Sequence, residues 1–166
     1  KNGALKVSKN ADYLYLDFPK DNIQEDDEYT SSIVDVLGGI VPKEIFRGRD
    51  DLLVILDKES DIEELQPDFA LLKKIPLRGI IVSAPGSEFD FVSRCFFPST
   101  GVDEDPVTGS AHTTLTPYWS KRLDKKKLRA KQVSQRGGLL SCEDAGERVF
   151  IGGKAVLYMI GSIYLT

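Results

Sequence analysis

Residues 106–120 carry no Asp, Glu, Lys or Arg, although such residues make up 29% of the chain. A gap of that length arises by chance about 1% of the time at this charge content. Charge is kept off a segment that is to be buried, because a desolvated charge is costly unless it is paired. Directly ahead stand Asp103, Glu104 and Asp105, and after Pro106 comes a turn of small residues, Thr108-Gly109-Ser110-Ala111. The pattern predicts an acidic loop feeding the N-terminus of a buried helix. Free backbone N–H groups and the helix dipole meet at such a terminus, which makes it a natural place to hold an anion.

Outside that stretch the chain reads as strands with a few helices. Residues 5–7 and 13–18 flank an Asn10-Ala11-Asp12 turn and read as strands, the second ended by Pro19. Ile33, Val34 and Leu37 fall at helical spacing within 29–37, with Gly38-Gly39 as the stop. The apolar run 52–56 reads as a buried strand, and short helices are expected at 62–65 and after Pro67. Further strands are expected at 79–82, 89–97, 131–134, 139–143, 148–151 and 155–165, with Gly152-Gly153 and Gly161 as turns or bends. There is no regular alternation of strand and helix, so the fold class is α+β. A length of 166 residues suffices for one domain with its own core, or for two small lobes.

Composition narrows the function classes. The net charge of −4 argues against a nucleic-acid or membrane-surface partner. No apolar run is long enough to span a bilayer, and no secretory segment opens the chain. Cys95 and Cys142 are too few for a disulfide framework, and with His112 as the one histidine they are too sparse for a zinc site. Cys95 lies in an apolar run and reads as a buried thiol, Cys142 as a strand residue. A reducing cytoplasmic setting fits these facts. The basic segment 121–131 holds seven Lys or Arg and no aromatic residue. It reads as a solvated helix end and loop rather than a nucleic-acid surface.

Two readings of Asp105 stay open on the residues alone. Asp before Pro is a common helix start, with Asp as N-cap and Pro at the first helical position. Asp105 would then bond the N–H of Val107 or Thr108 and do no chemistry. Alternatively the helix starts later, near Thr108 or Gly109, and Asp105 stands in a cleft as a proton carrier. That role needs desolvation or a neighbouring anion, such as Asp103 or Glu104. Gly109 favours the second reading. Glycine costs about 1 kcal/mol in a helix relative to alanine, so its presence in a first turn makes sense if another group must approach the backbone. Ser110 adds a hydroxyl beside the free N–H groups. Ala111, Leu115, Tyr118 and Trp119 recur at helical spacing as packing residues, Pro117 is expected to kink or break the helix, and His112 reads as a structural histidine.

Several runs together resemble a known family. They are Ser93-Arg94-Cys95-Phe96-Phe97-Pro98, the string 101–112 with Asp105-Pro106-Val107-Thr108-Gly109-Ser110-Ala111-His112, Pro117-Tyr118-Trp119, and Val133-Ser134-Gln135-Arg136-Gly137-Gly138. With Asp17-Phe18-Pro19 near the start and Ile151-Gly152-Gly153-Lys154 near the end, they resemble the PhzF-like family. That is the phenazine-biosynthesis isomerase group, related in fold to diaminopimelate epimerase.

The resemblance implies a mixed β-sheet curled around a central helix, as one half of a two-domain fold. This chain, residues 1–166, resembles the C-terminal portion. The active site lies between the domains. Asp105 is implied as a catalytic carboxylate, Ser110 as a catalytic and substrate-contacting hydroxyl, and Gly109 as a substrate-binding backbone donor. The implied chemistry is acid/base proton transfer on a small carboxylate-bearing substrate, an isomerisation or epimerisation with no cofactor or metal. The family's principal base, a glutamate, belongs to an N-terminal domain whose motif is not in this sequence. The chain by itself is therefore expected to be inactive and to have that N-terminal domain as a partner. The last strand, about 156–166, is expected to belong to the other domain's sheet, and left unpaired it would favour a homodimer. A non-catalytic binding module of the same fold is the alternative.

Overall fold

The computed structural model of the chain describes residues 6–164. In chain order the strands are β1 Lys6–Asn10, β2 Tyr13–Pro19, β3 Gln24–Glu25, β4 Glu44–Arg47, β5 Asp51–Ile55, β6 Gly79–Pro85, β7 Phe91–Phe97, β8 Val102–Asp105, β9 Lys127–Gln132, β10 Gly138–Asp144 and β11 Arg148–Lys154. The helices are α1 Thr30–Val36, α2 Glu59–Glu63, α3 Phe69–Leu72 and α4 His112–Leu123. Among the described residues the strands form one sheet in the order β1-β2-β11-β10-β9-β7-β6-β5-β4-β3, and β8 adds to β7. Pairing is antiparallel except for β5 with β6 and β7 with β9. The expected α+β class is what forms.

Alternation along the central strands decides what each face carries. Leu52 and Val54 of β5, Ile80 and Val82 of β6, and Val92 and Phe96 of β7 face an outer cluster. Ile33 and Val36 of α1, Ile62 of α2 and Leu72 of α3 cover it. The intervening residues Leu53, Ile55, Ile81, Phe91 and Cys95 face inward onto Ala111, Leu115 and Trp119 at α4. Leu128, Ala130, Leu140, Cys142, Val149 and Ile151 reach the same inner cluster from β9, β10 and β11. Strands on both sides of β7 thus close on one helix, and the sheet curls around α4. That helix is the charge-poor segment, and the inner cluster explains why charge is kept off it.

Several local expectations need correction. β4 and β8 were not foreseen, because one is short and the other is built from acidic residues. β9 starts at Lys127, inside the basic segment expected to be helix end and loop. There Leu128, Ala130 and Gln132 turn inward while Lys127 and Arg129 stay exposed, so a strand hides among lysines. Gly152 and Gly153, expected to turn the chain, run within β11. Beyond Lys154 no strand forms through residue 164, and Leu165 and Thr166 lie outside the described residues. The cause is the end of the ladder. Lys154 pairs with Tyr13, the first residue of β2, so the chain beyond it meets no further partner on that side. Among the described residues no helix is long and apolar enough to cross a membrane.

Candidate active site

The motif loop is set by its neighbours before the helix begins. β8 brings Asp105 beside Cys95 of β7. The turn after β9 then grips the loop: Ser134 Oγ donates to the Pro106 carbonyl at 2.8 Å and accepts from the Gly137 N–H at 3.0 Å. Gly138 lets Val107 pack closely, since a Cβ there would lie 2.3 Å from Val107 Cγ2. The helix proper starts at His112, with Ala111 at the N-cap position and no side-chain cap. One tight turn leads in, His112 N–H donating to Gly109 O at 3.0 Å and Thr113 N–H to Ser110 O at 3.0 Å. Of the two readings of Asp105, the N-cap on Val107 or Thr108 is therefore not the one formed.

Thr108 is the hub of the loop. Its N–H donates to Oε1 of Gln132 at 2.8 Å, and its hydroxyl donates to Asp105 Oδ2 at 2.8 Å. Its carbonyl lies 2.7 Å from His112 Nδ1. A carbonyl only accepts, so Nδ1 carries the proton and the imidazole is the Nδ1–H tautomer. Burial lowers the His112 pKa to about 4, against a smaller opposing effect of the Thr108 bond, so the ring is neutral at pH 7. Gln132, fully buried, also donates from Nε2 to the Asp105 carbonyl at 2.5 Å and to Thr108 Oγ1 at 3.2 Å. Sequence reasoning missed Gln132. Its only signal was a polar residue at an inward position of a strand that was itself placed too late.

Asp105 is half-buried, and Glu104 does not crowd it as expected. Glu104 faces the other way and takes a two-point bond from Arg94, at 2.7 and 2.9 Å, which places its charge on a cation. Arg94 also donates to the carbonyls of Ile62 and Leu65 at the end of α2. Asp103 is exposed, 3.9 Å from Lys73.

Ser110 is exposed and lines a cleft of about 300 Å³ with Lys20, Asp21, Arg49, Arg78, Thr113 and Thr114 among its walls. Asp105 is not in that lining. Gly109 is half-buried beside it. Among the described residues, no acceptor meets the backbone N–H of Gly109, Ser110 or Ala111. A larger hollow of about 600 Å³, walled by Glu25, Asp26, Asp27 and Glu44, holds none of the motif residues.

Pro117 shapes the cleft from inside α4. It does not end the helix, which continues to Leu123. Its missing N–H leaves the carbonyl of Thr113 without the usual helical donor. The Asp21 N–H takes that place at 3.2 Å. The Asp21 carboxylate then accepts from the Thr114 hydroxyl at 3.1 Å and from the Arg49 N–H at 3.2 Å. On the far wall Arg78 holds the buried Asp51 through Nε at 2.8 Å and through a second nitrogen. Burial pushes the Asp51 carboxyl pKa up, and the guanidinium offsets part of that rise. Asp21, Thr114, Arg78 and Asp51 were not foreseen, because each depends on contacts distant in sequence.

The family described as phenazine biosynthesis-like protein, PhzC-PhzF, matches residues 15–161. An uncharacterized isomerase of Pseudomonas aeruginosa is 48% identical over 99% of this chain and 62% of its own length. An uncharacterized isomerase of Halalkalibacterium halodurans is 44% identical over 99% of this chain and 63% of its own. The crystal structure of a phenazine biosynthesis protein of the PhzF family from Enterococcus faecalis is similar with a TM-score of 0.87 at 45% identity. It covers 96% of this chain and 60% of that one. The chain therefore spans less than two thirds of the length of these relatives.

Proposed function

The chain belongs to the phenazine biosynthesis-like family, and from that premise we propose that it forms one wall of a cofactor-independent isomerase. The reaction moves a proton on a small carboxylate-bearing metabolite, by isomerisation or epimerisation. The observation that carries this reading is the head of α4. There, among the described residues, the N–H groups of Gly109 and Ser110 have no acceptor, Ser110 lines a cleft, and Asp105 is tethered just upstream through Thr108.

Removing a proton from a carbon conjugated to a carboxylate spreads negative charge onto the carboxylate oxygens. Fixed N–H donors at a helix start stabilise that charge without reorganising. In this reading the Gly109 and Ser110 amides and the Ser110 hydroxyl hold the carboxylate, and Asp105 assists proton delivery. The principal base is a glutamate from the part of the relatives that this chain does not span. The complete arrangement is two-domain and diaminopimelate epimerase-like, with the cleft between the halves. The exposed apolar segment after β11 fits it: Val156, Tyr158 and Ile160 are 92%, 98% and 84% exposed. Residues 156–166 then add a strand to the sheet of the other half. Without that half a second copy takes its place, so light scattering of the 166-residue chain at rising concentration is expected to show self-association. A monodisperse monomer throughout would remove this part of the reading.

Solvent-deuterium incorporation tests the chemistry. The longer protein, incubated in D₂O with a panel of small amino and unsaturated carboxylates, is expected to label at least one of them, and Asp105→Asn to label it at least tenfold more slowly. The 166-residue chain alone is expected to label none. Full activity of Asp105→Asn would sink the role given to that residue. Acetate binding at the Gly109 and Ser110 amides without any labelling would favour a non-catalytic binding module of the same fold.

A further inference from the structure

We propose that Gln132 and Thr108 are positioning residues that fix which oxygen of Asp105 is free to handle a proton. The proposal rests on the reading of Asp105 as the site carboxylate.

The direction of the hydrogen bonds follows from the chemistry of the groups. The Nε2 of Gln132 only donates. One of its hydrogens points to the Asp105 carbonyl at 2.5 Å, the other to Thr108 Oγ1 at 3.2 Å. Thr108 Oγ1 therefore accepts from Gln132, and its own hydrogen is directed to Asp105 Oδ2 at 2.8 Å. The result is a one-way relay, Gln132 to Thr108 to Asp105. It occupies Oδ2 with a donor and leaves Oδ1 without a protein donor among the described residues.

The anchor cannot drift. Gln132 Oε1 holds the Thr108 N–H at 2.8 Å, so one amide clamps the backbone at both Asp105 and Thr108. His112 fixes the third group of Thr108, its carbonyl. Gln132 and His112 are both fully buried, away from bulk solvent. With the amide of Gln132 bonded at both ends, the network holds one geometry, and holding a reacting group to a fraction of an ångström is what proton transfer requires.

The test reads the Asp105 side chain directly, from the three-bond couplings that report its χ1 angle in the labelled chain at pH 7. Wild type is expected to show a single rotamer. Thr108→Val removes the hydroxyl at nearly constant volume and is expected to give an averaged rotamer, whereas Thr108→Ser keeps the hydroxyl and restores the single one. Gln132→Met, which keeps the volume and removes the donor, is expected to average it as well. A merely structural role for Gln132 would lower stability and leave the Asp105 rotamer alone. A single rotamer in folded Thr108→Val would overturn the relay. If neither variant folds, wild type decides: the Gln132 side-chain amide protons are expected to exchange with solvent at least tenfold more slowly than those of an exposed glutamine, and an ordinary rate would overturn the proposal. Undiminished deuterium labelling by Asp105→Asn is a separate failure, since it removes the reading of the site and leaves the rotamer data intact.

Discussion

The two faces of the sheet are packed to different rules. Outside, Leu52, Val54, Ile80, Val82 and Phe96 meet α1, α2 and α3 through an apolar cluster. Inside, a second apolar cluster surrounds α4, yet among the described residues the buried polar ones are all on this side. Ser83, Ser93, Asp51 and Gln132 occupy inward strand positions, and Thr108, His112, Thr114, Thr116 and Ser120 lie on α4 or its lead-in loop. Three of their atoms, Ser93 Oγ, His112 Nε2 and Thr116 Oγ1, have no protein partner among the described residues. Burying polar groups is costly unless they are bonded, so a fold that places them on one side does so for a reason other than cohesion. The outer face holds the sheet together. The inner face must also bury α4 along its length while leaving its head open and fixed.

The largest test of that contrast removes a large side chain from each face. Phe91 stacks on Trp119, ring centroids 5.7 Å apart and planes at 6°, and lies 5.9 Å from His112. Phe91→Ala is expected to lower stability by about 3–5 kcal/mol and Ile80→Ala, on the outer face, by about 2–5 kcal/mol, both read from denaturant unfolding. The distinguishing readout is the response of the Gly109 and Ser110 amide resonances to acetate. It should weaken in Phe91→Ala and persist in Ile80→Ala. Equal loss in both would erase the distinction between the faces.

Acid probes the inner face next. The His112 pKa is lowered by burial from 6.5 to about 4. The unfolded chain therefore binds a proton at this residue below about pH 6.5, while the folded chain stays neutral down to about 4. Stability from this group is fully present above the unfolded value and is lost as pH falls through the window from 6.5 to 4. The total is about 3 kcal/mol, given that one pKa unit corresponds to roughly 1.4 kcal/mol. Unfolding free energies of wild type and His112→Gln measured across that range should converge toward the acid end. Parallel curves would mean that His112 titrates normally and is not sealed in the inner core.

How much of this was legible depended on whether a residue's reason was local. The charge-free run around Leu115 and Trp119 announced a buried helix, since exclusion of charge is visible without knowing the partner. Gly109 and Ser110 were legible as the head of that helix because a small-residue turn before an apolar run has few other uses. Gln132, Asp21 and Arg78 were not legible. Gln132 bonds a loop 24 residues earlier in the chain, and Asp21 bonds Thr114, 93 residues away. Nothing nearby marks either. The segment after Lys154 was read as a strand from its apolar residues, but a strand is a relation between neighbours and here the neighbour runs out.

A smaller effect separates two glycines of the same loop region. In Gly138→Ala the new methyl would meet Val107, whose Cγ2 lies 2.3 Å from the Cβ position. Val107 is β-branched and stiff, so the loop must shift, at about 1–3 kcal/mol measured by thermal unfolding. A Gly138→Ala chain as stable as wild type would show that the turn does not clamp the motif.

Gly109 gives the smallest change in stability and the most informative one. A Cβ at Gly109 has no atom within 4 Å to meet, and its φ is not in the left-handed region. Neither packing nor backbone geometry within the described chain requires a glycine there. Gly109→Ala should therefore leave stability unchanged or raise it by about 0.4–1 kcal/mol, through a less flexible unfolded chain. The same methyl stands beside the amides read as the carboxylate site, so the acetate response of Ser110 should weaken although the fold is intact. A stable Gly109→Ala chain with a weakened response identifies a glycine kept for an approaching group. Loss of more than about 1 kcal/mol would instead make Gly109 a structural residue like Gly138. The head of α4 would then be another buried corner of the inner face and not its open end.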